Sequence, residues 1–206
     1  MIRPTEPIRD HHKTLEERLH GFWHDIENLQ KFSAQERGLL DDLMTLLKEE
    51  LLPHAEGEEK HLYGKVAELM NNPLFTKTME VDHQFIKQYI SELETEINNV
   101  YKESADATIK RIQKTASKLQ GIMDPHFQKE NDVYLPILDE KLSAEQVLLE
   151  VIKPMHAYGG HAGHGHGHGH GHGHEGHGHG HGHSHGHEGH GHGHEHGHGH
   201  GHGHRH

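Results

Sequence analysis

Cysteine is absent from all 206 residues, which excludes a disulfide framework, a thiolate metal site, an iron–sulfur cluster held by this chain and a cysteine nucleophile. Any metal must therefore sit on nitrogen and oxygen donors. Positive charge is scarce: 20 Lys and Arg stand against 32 Asp and Glu, a formal charge of −12 with histidine neutral. That balance offers no electrostatic footprint for nucleic acid or an anionic membrane, so neither is expected as a partner. No stretch approaches the roughly 18 uninterrupted apolar residues of a membrane span. The opening MIRPTEPIRDHH also lacks the apolar run of a signal peptide, which makes the cytoplasm the expected location.

Histidine is present in excess. Of 31 His, 23 lie at or beyond His156, and 22 fall within the 46 residues from His161 to His206, mostly alternating with Gly. Such a segment has no side chains from which to build an apolar core and is expected to be disordered. The chain is thus expected to divide into a folded domain over 1–155 and a His/Gly-rich, low-complexity, metal-binding tail over 156–206. The tail's length and its interspersed Glu175, Ser184, Glu188, Glu195 and Arg205 argue against a purification tag. Its imidazoles suit Ni, Zn, Cu and Co better than ferrous iron and bind them in competition with protons.

The remaining residues carry apolar side chains in steps of three and four, four times over. The first stripe is Ile8, His12, Leu15, Leu19, Phe22, Ile26 and Leu29. The second follows a capping-box pattern at Ser33 and Glu36 and runs Leu40, Leu43, Leu47, Leu51, His54, Glu58, Leu62. The third is Met79, His83, Ile86, Ile90, Leu93, Ile97 and Val100; the fourth is Ile109, Ile112, Ala116, Leu119, Met123, His126, Glu130, Val133 and Ile137. Four amphipathic helices with no strand pattern predict an all-α, up-down-up-down four-helix bundle. A short fifth helix is expected after Ser143, ending at Pro154, and the interior Pro53 and Pro125 are expected to bend their helices or mark breaks.

Six positions break the stripes with polar side chains: His12, His54, Glu58, His83, His126 and Glu130. Burying one unpaired polar group costs a few kcal/mol, and a lone carboxylate costs far more. Helix rise places His12 and His54 about 25–30 Å from their shared loop, with His83 and His126 at a matching distance from theirs, so all four share one level. His-x-x-x-Glu puts both side chains on one helix face. The pattern is an internal repeat, with His12 and His83 separated by 71 residues and the two His-x-x-x-Glu motifs by 72. Approximate two-fold symmetry then assigns two metals, each with two imidazoles, and makes Glu58 and Glu130 the bridging carboxylates.

The motifs DHHKTL around His12, PHAEGE from Pro53 to Glu58, DHQFI around His83 and PHFQKE from Pro125 to Glu130 resemble those of the hemerythrin-like, His-His-Glu cation-binding domains over about residues 5–140. The resemblance implies a non-haem di-iron centre, two Fe per chain, bridged by the two carboxylates and an oxo or hydroxo group, with an open coordination position. The chain departs from the oxygen-carrying hemerythrins at Lys87, where those have a further His, and at Asn131, where those have Asp. Six protein ligands rather than seven argue against simple reversible oxygen carriage. The related iron-centre repair proteins usually bring an N-terminal Cys-containing region, and this chain has no Cys.

Among the neighbours, His11 lies about 100° round the helix from His12 and reads as exposed or as backing the site. His20 and His24 read as a solvated pair, and Glu59 as facing away from Glu58. Tyr63 and Tyr134 read as packing, with hydrogen bonding to a bound oxygen species as the alternative. Three functions follow. The first is a binder or sensor of dioxygen, nitric oxide or a related small ligand. The second is metal storage or chaperoning, with the tail collecting ions. The third is a di-iron oxidase or peroxidase-like enzyme, ranked last because no substrate pocket, nucleotide motif or nucleophile–base set is visible.

Overall fold

A computed structural model describes residues 3–100 and 105–157. The tail expectations lie outside the described residues. Those residues form helices and no strands: α1 (Glu6–Glu27), α2 (34–69), α3 (Lys77–Asn99), α4 (105–141) and α5 (144–156). Three of these change pitch along their length. In α2, α-helical Ala34–Thr45, Leu52–Gly57 and Tyr63–Leu69 alternate with π-helical Leu46–Leu51 and Glu58–Leu62. In α4 the π turn is Glu130–Tyr134, and in α5 it is Leu148–Ile152.

The helix starts follow local chemistry. At Ser33 the expected capping box forms, with Ser33 N–H donating to Glu36 Oε2 at 3.0 Å and Gln35 N–H to Ser33 Oγ at 3.2 Å. Ser143 and Gln146 make a second box at the start of α5. Between α2 and α3, Asn71 adopts the left-handed conformation (φ 48°), which Asn tolerates better than most residues, and turns the chain. Thr5 begins α1 by donating its N–H and its hydroxyl to the Asp139 carboxylate of α4, both at 2.9 Å.

Two expectations beyond residue 130 need correction. Pro154 does not end α5; Lys153–His156 continues it. Pro53, Pro136 and Pro154 each lie two residues beyond a π turn. A π turn hands each carbonyl to the N–H five residues on, so the amide that proline lacks is not required there. The other correction concerns register. Val133 is exposed and Ile137 only half-buried, while Tyr134 and Leu138 are buried, because the Glu130–Tyr134 π turn inserts one residue and slips the apolar stripe by one. In α1 the deeply buried aromatic is Trp23 rather than Phe22, which packs at the edge of the core.

The core consists of two apolar clusters. One runs from Leu15 to Ile26 on α1, Leu40 to Leu51 on α2, Ile86 to Ile97 on α3 and Ile112 to Phe127 on α4. The other gathers Ile8, Leu62, Tyr63, Val66, Met79, Tyr134, Leu135 and Leu138, and α5 closes it with Val147, Val151, Ile152 and Met155. Along every long helix the stripe-breaking polar residues fall between these clusters. Gly57 permits the close seating of α5: a Cβ there would lie 3.1 Å from the Met155 carbonyl oxygen.

Candidate metal centre

All six residues meet between the two apolar clusters. His12, Glu58, His83, His126 and Glu130 are buried, and His54 retains 10% side-chain exposure. Glu58 is central. Its Oε1 lies 3.1 Å from His12 Nε2 and 2.9 Å from His54 Nε2, while its Oε2 lies 3.6 Å from His83 Nε2. Glu130 faces it across the layer, with Oε2 3.6 Å from His12 Nε2 and Oε1 3.6 Å from His126 Nε2. Candidate ligand atoms of His12, His54 and Glu58 lie within 4.8 Å of one another, as do those of Glu58, His83 and His126.

The outward nitrogens show which lone pairs point inward. His12 Nδ1 is 3.1 Å from Asn131 Oδ1, His83 Nδ1 is 3.0 Å from Glu59 Oε1, and His126 Nδ1 is 3.3 Å from Asp82 Oδ2. Each of these oxygens can accept from its Nδ1, which leaves the Nε2 atoms of the three rings facing into the layer. His83 Nε2 and His126 Nε2 then face one another at 2.9 Å. Two lone pairs repel at that distance unless a proton or a cation stands with them. His54 Nε2 is close to Glu58 yet not aligned for a hydrogen bond, and it and Glu130 Oε2 are buried without hydrogen-bond partners. Close, unaligned and orphaned nitrogen and oxygen atoms make a donor set that fits a shared cation.

The two carboxylates differ. Burial opposes charge on Glu58, but the neighbouring His54 and His12 outweigh it and hold its carboxyl well below the usual carboxylate range. Glu130 moves the other way: burial, then the charge of Glu58, push it well above that range. Two carboxylates in one dry site titrate apart for this reason. Burial also lowers His83.

Several neighbours depart from their sequence readings. Tyr63, read as packing, donates its hydroxyl to Glu130 Oε1 at 2.5 Å and sits 3.3 Å from the Nε2 atoms of both His83 and His126. Burial and the charges of Glu130 and Glu58 push its phenol well above its ordinary value. It follows Glu58 by five residues, which is off-face in an α-helix, but the Glu58–Leu62 π turn restores it to the site. Tyr134 packs as expected, donating to the Phe75 carbonyl at 3.3 Å. Glu59 does not face away; it accepts from His83 and also from Lys87 Nζ at 3.1 Å. Exposed His11 backs the site, its ring edge-on to His54 with centroids 4.5 Å apart. Desolvation there, then His54 and His12, push it down to about 4. His20 is exposed, 3.8 Å from Asp124, and His24 is also exposed.

Beside the layer lies a cavity with about 10 Å³ of free volume. Leu51, Ile86, Met123 and Phe127 form its apolar side, and His54, Glu58, His83 and His126 its polar one. It has room for a molecule of about the size of water.

The family model for the hemerythrin HHE cation-binding domain matches residues 3–138. The chain belongs to that family. Its fold and its cluster of His and Glu therefore belong to a cation-binding domain. No curated protein and no solved structure matches the chain at a significant level. Among the described residues, no helix of this hemerythrin-family chain is long and apolar enough to cross a membrane.

Proposed function

We propose that the bundle is a non-haem di-iron domain in which His12 and His54 hold one iron, His83 and His126 the other, and Glu58 and Glu130 reach both. The observation that carries this reading is the pair of inward-facing Nε2 atoms of His83 and His126 at 2.9 Å, whose outer nitrogens are tied to carboxylates. A structural polar layer would pair its own donors and acceptors, whereas this one leaves His54 Nε2 and Glu130 Oε2 without hydrogen bonds. Donors confined to imidazole and carboxylate suit iron, and the cation-binding family makes iron the first candidate.

When bound, two adjacent irons supply a redox-active pair able to take dioxygen or nitric oxide. The protein's own part is to keep other ligands out. A cavity of about 10 Å³ with a wall of Leu51, Ile86, Met123 and Phe127 holds a molecule of about the size of water; a diatomic ligand would need the lining to give slightly, and an organic substrate has no room. Tyr63 Oη, 3.3 Å from two of the imidazoles, places a hydroxyl in the same layer, its hydrogen given to Glu130. Binding rather than turnover is the reading, and the sequence tail, with 22 His in 46 residues, buffers Ni, Zn, Cu and Co ions alongside it.

The test is spectroscopic. Iron-loaded protein kept without air is mixed with nitric oxide, dioxygen or peroxide while visible absorption and ligand consumption are followed. A saturable spectral change with stoichiometric uptake is expected. Continuous consumption of dioxygen or peroxide makes the protein an enzyme, and no spectral change removes the small-ligand reading. For the tail, nickel and zinc are titrated into the full chain and into a chain ending near residue 158; equal capacities would end the buffering proposal.

A further inference from the structure

The internal repeat pairs each half of the centre with the other, and the surroundings break that symmetry in one direction. His83 Nδ1 is backed by Glu59 at 3.0 Å; the equivalent partner of His12, 72 residues on from Glu59, is the neutral amide of Asn131 at 3.1 Å. His126 Nδ1 is backed by Asp82 at 3.3 Å; the residue 71 positions before Asp82 is His11, whose ring stands edge-on to His54. Each of the two backing carboxylates also holds a lysine: Lys87 is 3.1 Å from Glu59, and Lys129 contacts Asp82. On the other side, His54 makes no Nδ1 hydrogen bond among the described residues and keeps 10% side-chain exposure, against 1% for His83 and 3% for His126.

An imidazole whose outer N–H leans on a carboxylate is a stronger donor at its inner nitrogen, and such partners change metal affinity by about 10–100-fold. We propose that the two cation positions are unequal by construction: His83 and His126 form a retained position, His12 and His54 an exchangeable one. Glu59 and Asp82 are the positioning residues that set the difference. The inference rests on the two-cation reading above and goes beyond it by assigning an order of loading and release. His12 is fully buried, so solvent reaches the exchangeable position through His54 alone, beside the exposed His11.

The test uses the full chain carrying ferrous iron, freed of loosely held metal by gel filtration and mixed with an excess of a ferrous chelator. Two phases of release with equal amplitude and at least about a 10-fold difference in rate are expected. The His54→Ala variant loses the fast phase and keeps the slow one. Asp82→Asn and Glu59→Gln each speed the slow phase by about 10-fold or more and leave the fast phase alone. A loosened fold would instead speed both phases, and thermal melts of the variants identify it. A single phase, a slow phase indifferent to both carboxamide variants, or a fast phase that survives His54→Ala overturns the inference. A chain that retains no iron overturns the two-cation reading instead.

Discussion

Glu58 and Glu130 carry the same side chain in the same repeat position, and their environments drive them apart. Glu58 is held below the usual range, so its stabilising contribution is present above that range and is lost as pH falls through the lowered value. Glu130 is raised, so its contribution is fully present below the ordinary carboxylate range and is lost as pH rises from there through the raised value. In metal-free protein at neutral pH, Glu130→Gln is therefore expected to raise the melting temperature and Glu58→Gln to lower it, each by an amount corresponding to about 1–3 kcal/mol. Shifts of the same sign in denaturation experiments would contradict the assignment. The six stripe-breaking residues were legible in the sequence because a 3.6-residue period shows where a buried apolar side chain is missing. Glu59, Asp82 and Asn131 were not, because the period says which face a residue occupies and nothing of which neighbouring helix its carboxylate or amide meets. For Tyr63, a Tyr63→Phe variant removes its donor to Glu130 without changing the ring; a perturbed absorption spectrum of the iron-loaded protein with unchanged iron content is the expected result, and an unchanged spectrum would return Tyr63 to packing.

At the scale of the helix, the four long elements and the short fifth were legible from periodicity, the Ser33 capping box and Ser143. Where the reading slipped, a π turn was responsible. Glu130–Tyr134 moved the stripe from Val133 and Ile137 to Tyr134 and Leu138, and Leu148–Ile152 let α5 run through Pro154. A constant 3.6-residue period cannot represent an inserted residue. The π turns Glu58–Leu62 and Glu130–Tyr134 begin at the Glu of each metal motif, which is where the chain re-aims Tyr63 and Tyr134. Helix α5 closes the second apolar cluster and seats against Gly57, where an added Cβ would meet the Met155 backbone at 3.1–3.2 Å. The opposing group is main chain and cannot swing aside, so Gly57→Ala is expected to destabilise the fold by about 1–3 kcal/mol and to shift α5, measured by denaturant unfolding and by faster hydrogen exchange in α5. A neutral result would mean that α5 is not seated there.

For the whole molecule, the absence of cysteine had already excluded thiolate donors, and the acidic balance of 20 basic against 32 acidic residues is the reason no polyanionic partner is expected. The two apolar clusters on either side of one polar layer explain how a bundle tolerates six such residues: apolar packing holds the helices together both above and below the layer. The bundle centre and the His/Gly tail differ in kind. One is buried and limited to a few donors; the other is a long run of imidazoles and glycines with almost no apolar side chains. Removing the tail is expected to abolish most nickel and zinc capacity while leaving the bundle's iron content unchanged, as elemental analysis of the two forms would show. The most direct test of the central claim is iron per chain, by elemental analysis after gel filtration, in the chain ending near residue 158 and in the same chain carrying Glu58→Leu and Glu130→Leu. Two irons falling to none, with the helical content retained, is the predicted result; an unchanged iron content in the leucine variant would contradict it.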